Sequence, residues 1–456
     1  MRTPANPKKQ QMMLEENIHT LIPKMAVPPI VAQLITTIYN IVDTFFVSTL
    51  GTYATAAVGV NSSLERTITL IGSLLGAGAC SYIARLLGAQ RNKDADHVLS
   101  TSFFVGLGLG FLLAIFGCIF IDPLVYLLGA TTDSARYAKE YATCVLLAAP
   151  FMTGSFIINM CMRSEGSATY AMIGIASGGI LNCFLDPLFI YTFNLGVAGA
   201  SMATAISKLV SFCILVYPYI RKRCNVHISV RDILFRKKDV AEVLSIGSTS
   251  FFRTACSVVS NVVINHVAGS FSTAAQAAIS IGNRIMEFPF AIILGFGQGY
   301  QPVAGFNWGA KQPERVKESL RFSCLVSECG SIVMGAILFF SAGIIVPVFN
   351  KQADPEVLRL GVLCVQLQCF ALPFHGFDSI INMFYSGIGR AKQALLMSTA
   401  RQGYIFIPVA FILPALLKAD GVAATQAVAD VLTLAVALPL GIKAFKIANS
   451  RPEDMK

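Results

Sequence analysis

Apolar stretches of about 20 residues recur along this chain from Leu21 to Lys446, and no other feature limits its fold so strongly. An α-helix crosses the bilayer core with about 20 apolar residues, whereas a membrane β-strand shows about ten residues in alternation. Of the 456 residues, 55% are hydrophobic and 13% are charged, against roughly 25% charged in soluble domains. The sequence therefore predicts an all-α polytopic membrane protein.

Twelve transmembrane helices are predicted. They cover residues 25–49, 57–84, 98–121, 138–162, 169–192, 199–220, 241–266, 275–305, 322–349, 358–386, 395–416 and 422–442. An even number of spans puts both termini on one side. That side carries 26 of the 35 Lys and Arg residues when the loop before the eleventh span is counted through Arg401, so the positive-inside rule predicts cytoplasmic termini. The net charge of +10 then reflects topology, and no nucleic-acid partner is expected.

The two halves of the chain resemble each other. Residues 148–168 match residues 371–391 at a shift of 223 and share the run Ile-Ile-Asn-Met, and residues 55–90 pair more weakly with 276–311 at a shift of 221. Six spans per half give both halves the same orientation, as in transporters built from two parallel six-helix lobes. The predicted organisation is a cytoplasmic tail (1–24), an N-terminal lobe (25–220), a basic cytoplasmic linker (221–240), a C-terminal lobe (241–445) and a cytoplasmic tail (446–456).

The repeat separates scaffold from functional residues, because scaffold positions are expected in both halves. Asn159 meets this expectation, since it aligns with Asn382. Three carboxylates do not: Asp43, Asp186 and Asp378 align with Ile264, Ile407 and Ser155. A carboxylate at the centre of a membrane helix costs roughly 3 kcal/mol on insertion scales. Acids placed in one lobe only are therefore candidates for function.

The N-terminal lobe is predicted to hold a coupling cation. Tyr39 and Asp43 are four residues apart, as are Asn182 and Asp186, so each pair shares a helix face. Two carboxylates in a dry site do not easily both ionise, and a proton or a hard cation with oxygen ligands relieves the conflict. The candidate residues are Asp43, Asp186, Asn182, Thr204, Asn159 and Tyr39, and a Na⁺ ion would use Asp43, Asn182, Asp186 and Thr204.

Alternatives to this interpretation remain. In the alternative interpretation, neither aspartate binds a cation. Asp186, which precedes a proline, is then a structural break in its helix, and Asp43 is a hydrogen-bonded core residue. No basic residue of the lobe is an obvious partner for both aspartates. Lys208 lies one turn from Thr204 and is a candidate partner for one of them.

The C-terminal lobe offers candidate substrate-binding residues. Asp378 lies in an apolar span with Arg253 as its expected partner, and Glu287 lies one turn from Arg284, which makes a structural ion pair the alternative. Soft apolar side chains nearby suit aromatic cations, although Phe and Met in a membrane protein are mostly core or lipid-facing. The candidates are Asp378, Glu287, Met286, Phe288 and Met383.

Enzymatic and ATP-driven functions are not expected. The sequence has no G-x-x-x-x-G-K-[ST] motif and no soluble region large enough for an ATPase domain. No nucleophile–base arrangement stands out. The 12 cysteines form no C-x-x-C pair, so neither a zinc site nor a disulfide framework is expected. No cofactor is predicted apart from the coupling ion.

Four motifs carry a family resemblance: VDTFFVSTLGT, IARLLGAQRNKDA, LNCFLDPLFI and GVAGASMATAIS. Over residues 20–445 the chain resembles the multidrug and toxic compound extrusion (MATE) exporters, and most closely their DinF-like, MepA-like bacterial branch. The resemblance implies an H⁺- or Na⁺-coupled antiporter that exports cationic or amphipathic drugs by alternating access of two lobes. It also implies a cation site in the N-terminal lobe at Asp43, Asn182, Asp186 and Thr204, with Tyr39 and Asn159 nearby.

A second, Vibrio-type branch of the family places its coupling carboxylates in the C-terminal lobe. Asp378 stands where one of them lies, but Arg253 appears where that branch has an acid, which favours the N-terminal site. The alternatives are a lipid-linked saccharide flippase of the same superfamily, which the acidic residues argue against and Arg253 and Arg284 leave open, and a non-transporting scaffold or receptor. We expect a monomer in the bacterial cytoplasmic membrane, with small-molecule drugs and the lipid bilayer as partners.

Overall fold

The computed structural model describes residues 7–349 and 354–454, so the first six residues of the predicted N-terminal tail and residues 455–456 lie outside it. The described residues form helices and no strand. The helices are α1 (Pro7–Glu15), α2 (Ile18–Ser48), α3 (Thr52–Gly88), α4 (Asn92–Ile119), α5 (Ile121–Leu127), α6 (Ala135–Ser164), α7 (Ala168–Pro187), α8 (Gly196–Ile220), α9 (Lys237–Phe271), α10 (Thr273–Gly309), α11 (Pro313–Phe349), α12 (Pro355–Gly387), α13 (Ala391–Thr399) and α14 (Phe406–Ala448).

The predicted all-α membrane fold is confirmed. Ten helical segments are long and apolar enough to cross a bilayer. The last of them, Ala391–Ala448, contains two predicted spans, because α14 is broken at Lys418, where φ is 55°. The predicted seventh span, 241–266, lies in α9. These assignments account for all twelve predicted helices, and α5 is a short addition that the sequence did not indicate.

The chain folds into two compact units. The first contains the residues up to Glu16 and Val27–Gly247, and the second contains Asn17–Ala26 and the residues from Ser248 onward. The start of α2 thus belongs to the second unit and the rest of α2 to the first. In the same way, α9 begins in the first unit and continues in the second.

The first turns of α9 and α2 each pack against a glycine, and the two glycines are equivalent in the repeat. In the first unit, Gly78 of α3 packs so closely on α9 that an added Cβ would overlap the Val243 carbonyl. In the second unit, an added Cβ on Gly299 of α10 would lie 2.5 Å from the Met25 carbonyl oxygen of α2. Gly78 and Gly299 are separated by the repeat shift of 221. The repeat therefore preserves a backbone contact that only glycine permits.

The repeat also preserves a polar contact. The Asn159 side-chain amide donates a 2.8 Å hydrogen bond to the Ala171 carbonyl. The Asn382 amide donates a 2.9 Å hydrogen bond to the Ala394 carbonyl. Donor and acceptor are both displaced by 223 residues. Each asparagine ties the end of one span to the beginning of the next, and this explains why the residue recurs.

Separate apolar cores stabilise the two units. In the first, the buried side chains include Leu64 and Ile68 of α3 and Tyr141 and Val145 of α6. In the second, a buried cluster joins α10, α11 and α12, and Met286 is one of its fully buried members.

A buried carboxylate, Glu165, fixes the chain that follows α8. It accepts hydrogen bonds from the Tyr219 hydroxyl at 2.6 Å and from the N–H groups of Asn225 and Val226 at 2.7 and 3.1 Å. Helix α1 lies beside it, since Lys9 donates a 2.7 Å hydrogen bond to Ser167. Burial raises the pKa of Glu165 to about 7, although the three hydrogen bonds and the Lys9 charge oppose that rise.

We expect Glu165→Gln to change how stability depends on pH. Because the folded-state pKa is raised above the ordinary glutamate value of 4.5, the wild-type carboxyl contributes fully below pH 4.5 and loses its contribution as the pH rises through about 7. Relative to the variant, wild type loses up to about 3 kcal/mol across this window. Thermal unfolding in detergent from pH 4 to 8 measures it. The partly exposed Glu140 (to Gln) is the control, and a pH-independent difference between wild type and Glu165→Gln contradicts the prediction.

The glycine contact predicts a stability loss for Gly299→Ala. The new methyl group meets α2 backbone atoms that cannot rotate away, and overpacking of this kind costs about 1–3 kcal/mol. Gly330→Ala is the matched control, because its added Cβ meets no atom within 4 Å. The melting temperature of purified Gly299→Ala should fall by several degrees while that of the control stays at or above wild type. Equal melting temperatures for the two variants would contradict the contact.

Candidate functional site

A polar group lies inside the first unit where α7 faces α8. The Asn182 amide donates to Asp186 Oδ1 at 3.1 Å and to Thr204 Oγ1 at 3.4 Å. Asp186 is fully buried, and Asn182 and Thr204 are nearly so. Asp43 of α2 is close enough for its charge to act on Asp186. The structure thus brings these four predicted residues together.

Three oxygen atoms of this group are buried and lack a hydrogen-bond partner among the described residues: Asp43 Oδ1, Asn182 Oδ1 and Asp186 Oδ2. Buried polar atoms are nearly always hydrogen-bonded, and an unsatisfied one costs about 1–3 kcal/mol. The arrangement offers carboxylate, amide and hydroxyl oxygens to a ligand. That chemistry suits a proton or a hard monovalent cation.

The described part of the chain contains no cluster of three or more His, Cys, Asp or Glu side chains placed to bind a metal ion. The oxygen group differs from such a cluster, because an amide and a hydroxyl supply half of its four side chains. Its donor set therefore matches Na⁺ or a proton better than a transition metal, which prefers imidazole or thiolate.

Tyr39 and Lys208 border this group. The Lys208 ammonium donates a 2.8 Å hydrogen bond to the Tyr39 hydroxyl and lies 4.9 Å from the centre of the Tyr39 ring. Its charge also acts on Asp43. Lys208 therefore approaches one of the two aspartates, as its position one turn from Thr204 indicated.

Two residues near this group were not predicted from the sequence. Glu65 of α3 interacts electrostatically with Asp43 and Lys208, and Tyr141 of α6 lies within hydrogen-bonding reach of Thr204. Glu65 aligns with Met286 at the repeat shift of 221. An acid present in one half only was the signal that identified Asp43, and the same signal was available for Glu65. Tyr141 carried no such signal.

Asn159 is engaged elsewhere. Besides donating to the Ala171 carbonyl, its side-chain oxygen accepts a 2.9 Å hydrogen bond from Arg163. The structure therefore does not bring it to Asp43 and Asp186. Its place in the scaffold agrees with its presence in both halves of the repeat.

The second unit contains a different polar cluster. Arg401 binds Asp430 through two hydrogen bonds of 2.7 and 3.2 Å, and Gln426 adds a third at 2.8 Å. Asp378 is buried near Arg401 and Arg253, and its Oδ1 atom has no hydrogen-bond partner in the described ranges. The charge of Arg253 acts on Asp378, and a direct pairing of the two side chains stays a prediction. Arg401, which the count of cytoplasmic Lys and Arg residues included, lies within the membrane-crossing segment Ala391–Ala448.

The other candidate substrate-binding residues do not form one surface. Met286 is a core residue, and Met383 is buried against Gly297. That second contact repeats the packing of Met160 on Gly76 in the first unit, so it belongs to the scaffold. Phe288 is half-buried and Glu287 is exposed.

The fold and the buried oxygen group together define a class: a membrane protein of twelve helices in two repeated units, with carboxylates held inside the first. The family model described as MatE matches residues 28–188 and 249–412, which is more than half of the chain. This chain belongs to the MatE family, whose members are transporters and not enzymes. The resemblance noted in the sequence is confirmed.

Curated relatives support this assignment. The chain is 26% identical over 409 residues to the multidrug export protein MepA of Staphylococcus haemolyticus (strain JCSC1435), covering 90% of each protein. It is 26% identical over 416 residues to MepA of Staphylococcus aureus (strain N315), covering 91% of each.

Solved structures agree on the fold. A MATE protein crystallised in complex with MaL6 has a TM-score of 0.91 and 25% identity, over 97% of this chain and 99% of that one. An outward-facing multidrug resistance MATE transporter also has a TM-score of 0.91, with 24% identity over 96% and 98% of the two chains.

We expect the Arg401–Asp430 pair to be essential to the stability of the second unit. Arg401→Gln leaves the buried Asp430 carboxylate without its cation, and breaking a buried pair in this way costs about 3–5 kcal/mol. Arg359 and Asp420 form a matched exposed pair at 2.8 Å, for which Arg359→Gln should cost at most about 1 kcal/mol. Thermal unfolding of both variants in detergent tests the contrast. Similar losses in the two variants would show that the buried pair is not structural.

Proposed function

We propose that this protein is a cation-coupled antiporter that exports cationic or amphipathic drugs across the bacterial cytoplasmic membrane. The observation that carries the proposal is the set of unsatisfied buried oxygens on Asp43, Asn182 and Asp186. Export by relatives with the name multidrug export protein MepA supports the substrate class.

The coupling ion, H⁺ or Na⁺, binds at Asp43 and Asp186. Asn182 holds Asp186 in place through its amide and offers its own oxygen, and Thr204 supplies a hydroxyl. Neutralising the two carboxylates lowers the cost of enclosing them in an apolar environment. Because an ion shifts a conformational equilibrium only through different affinities for the two states, this site must be tighter in the outward-open state. Drug then leaves to the outside as the ion enters.

The topology belongs to the same proposal. Both termini face the cytoplasm, as the distribution of Lys and Arg predicts. The protein acts as a monomer, because one chain supplies both repeated halves that an alternating-access transporter of this kind requires. No cofactor is needed besides the coupling ion.

Ethidium efflux from cells that express Asp43→Asn or Asp186→Asn tests the proposal. An asparagine keeps the shape of the side chain and cannot carry the charge, so we expect each variant to lose at least tenfold in efflux rate. Asp122→Asn is the control, because Asp122 is exposed and pairs with Lys139 outside the site. Expression is matched by immunoblot.

Proteoliposomes with an imposed H⁺ or Na⁺ gradient identify the ion that drives wild-type efflux. Normal efflux in both aspartate variants would reject the coupling site and direct attention to Asp378. Absence of drug efflux in wild type would reject the exporter and favour the lipid-linked saccharide flippase.

A further inference from the structure

The linker between the two repeated halves is fixed to the beginning of α4 by hydrogen bonds. The Ser229 N–H donates to Ser100 Oγ at 3.1 Å, and the Leu234 N–H donates to Thr101 Oγ1 at 3.0 Å. Between these two attachments the linker forms a short turn, Val230–Asp232. The conformation of this part of the linker is therefore set by its contacts with α4.

The α4 residues that hold the linker also indicate its depth relative to the bilayer. The charged residues of α4 precede Val98, and no charged residue occurs from Val98 to Ile121. An uncharged apolar run of this length spans the hydrocarbon core, with its first turn at the boundary. Ser100 and Thr101 belong to that first turn. The linker residues bonded to them therefore lie where the bilayer meets water.

Three apolar side chains of the linker are exposed at this boundary. Val230 is 68% exposed, Leu234 is 38% exposed and Phe235 is 67% exposed. Exposed apolar side chains that occur together mark a contact surface. Segments that lie on a membrane place such side chains among the headgroups and the adjoining part of the acyl chains.

Basic side chains accompany these apolar ones. Arg231, Lys237 and Lys238 are exposed, and Arg236 donates a 2.7 Å hydrogen bond to Asp94 of α4, which adds an attachment. Lys and Arg side chains beside a membrane attract anionic headgroups. A soluble protein would have to displace headgroups to cover the apolar side chains. Charge and depth together therefore indicate an anionic lipid surface.

We propose that residues 229–238, the linker anchor, bind anionic phospholipid at the bilayer surface. The exposed apolar side chains enter the headgroup layer, and the exposed basic side chains bind the lipid phosphates. Under the proposed topology this lipid belongs to the cytoplasmic leaflet. The inference goes beyond the proposed transport function, because it involves neither the coupling ion nor the drug.

Tryptophan fluorescence in nanodiscs measures the depth of the linker anchor. The chain has one tryptophan, Trp308, which is buried in the second unit, so Phe235→Trp adds one exposed reporter. Lipid brominated on its acyl chains should quench the added fluorescence by at least half. Phe111→Trp, exposed within the apolar run of α4, gives the largest quenching. Lys93→Trp is the water-side control, about 12 Å along α4 from Thr101, and should be quenched least.

A second measurement tests the headgroup chemistry. Nanodiscs of one fixed phosphatidylglycerol and phosphatidylcholine composition are prepared with bromine either on the phosphatidylglycerol or on the phosphatidylcholine, in equal amounts. We expect brominated phosphatidylglycerol to quench the Phe235→Trp reporter at least threefold more than brominated phosphatidylcholine. Adding Arg231→Gln, Lys237→Gln and Lys238→Gln should make the two lipids quench equally, because the basic side chains that select the anionic lipid are gone.

Matched variants separate lipid binding from damage to the fold. Lys443→Gln, Lys446→Gln and Arg451→Gln remove the same number of exposed charges outside the linker anchor and should preserve the preference for phosphatidylglycerol. Val230→Trp is a second reporter and should behave as Phe235→Trp does. Melting temperatures of all variants in nanodiscs identify any that are misfolded.

Two outcomes would overturn the inference. If both linker reporters are quenched no more than Lys93→Trp, the linker anchor faces water, and its exposed residues are instead a surface for a soluble protein. If the reporters are quenched but brominated phosphatidylglycerol and phosphatidylcholine act equally in the otherwise wild-type protein, anionic lipid is not selected. Neither outcome depends on drug efflux, so the proposed export function is tested separately.

Discussion

Unsatisfied carboxylate and amide oxygens inside an apolar helical unit are the constraint around which the first half of this protein is arranged. Among the described residues, Asp43 Oδ1, Asn182 Oδ1 and Asp186 Oδ2 accept no hydrogen bond. Glu165, for comparison, is buried and accepts three hydrogen bonds. The chain therefore supplies hydrogen-bond donors to a buried carboxylate that has a structural role. Under the proposed function, the open oxygens between α2 and α7 accept the coupling ion.

The repeat shows which contacts belong to the fold alone. Asn159 and Asn382 make the same hydrogen bond, and Gly78 and Gly299 make the same close backbone approach. The charged groups differ between the units. The second unit neutralises Arg401 with Asp430 through a bidentate pair, whereas in the described part of the first unit one oxygen of Asp43 and one of Asp186 accept no hydrogen bond. One architecture thus supports a hydrogen-bonded ion pair in one half and a group of open buried oxygens in the other.

Hydropathy and spacing were sufficient for the fold and for part of the site. A span of 20 apolar residues has one physical outcome in a bilayer, so the helices were predictable, and the four-residue spacing placed Asn182 beside Asp186 correctly. Contacts between helices were not predictable in this way. Tyr141 reaches Thr204 only because α6 packs on α8, and Met286 is buried because of its neighbours on α11 and α12. Side chains that face each other across helices leave no periodic signal in one sequence.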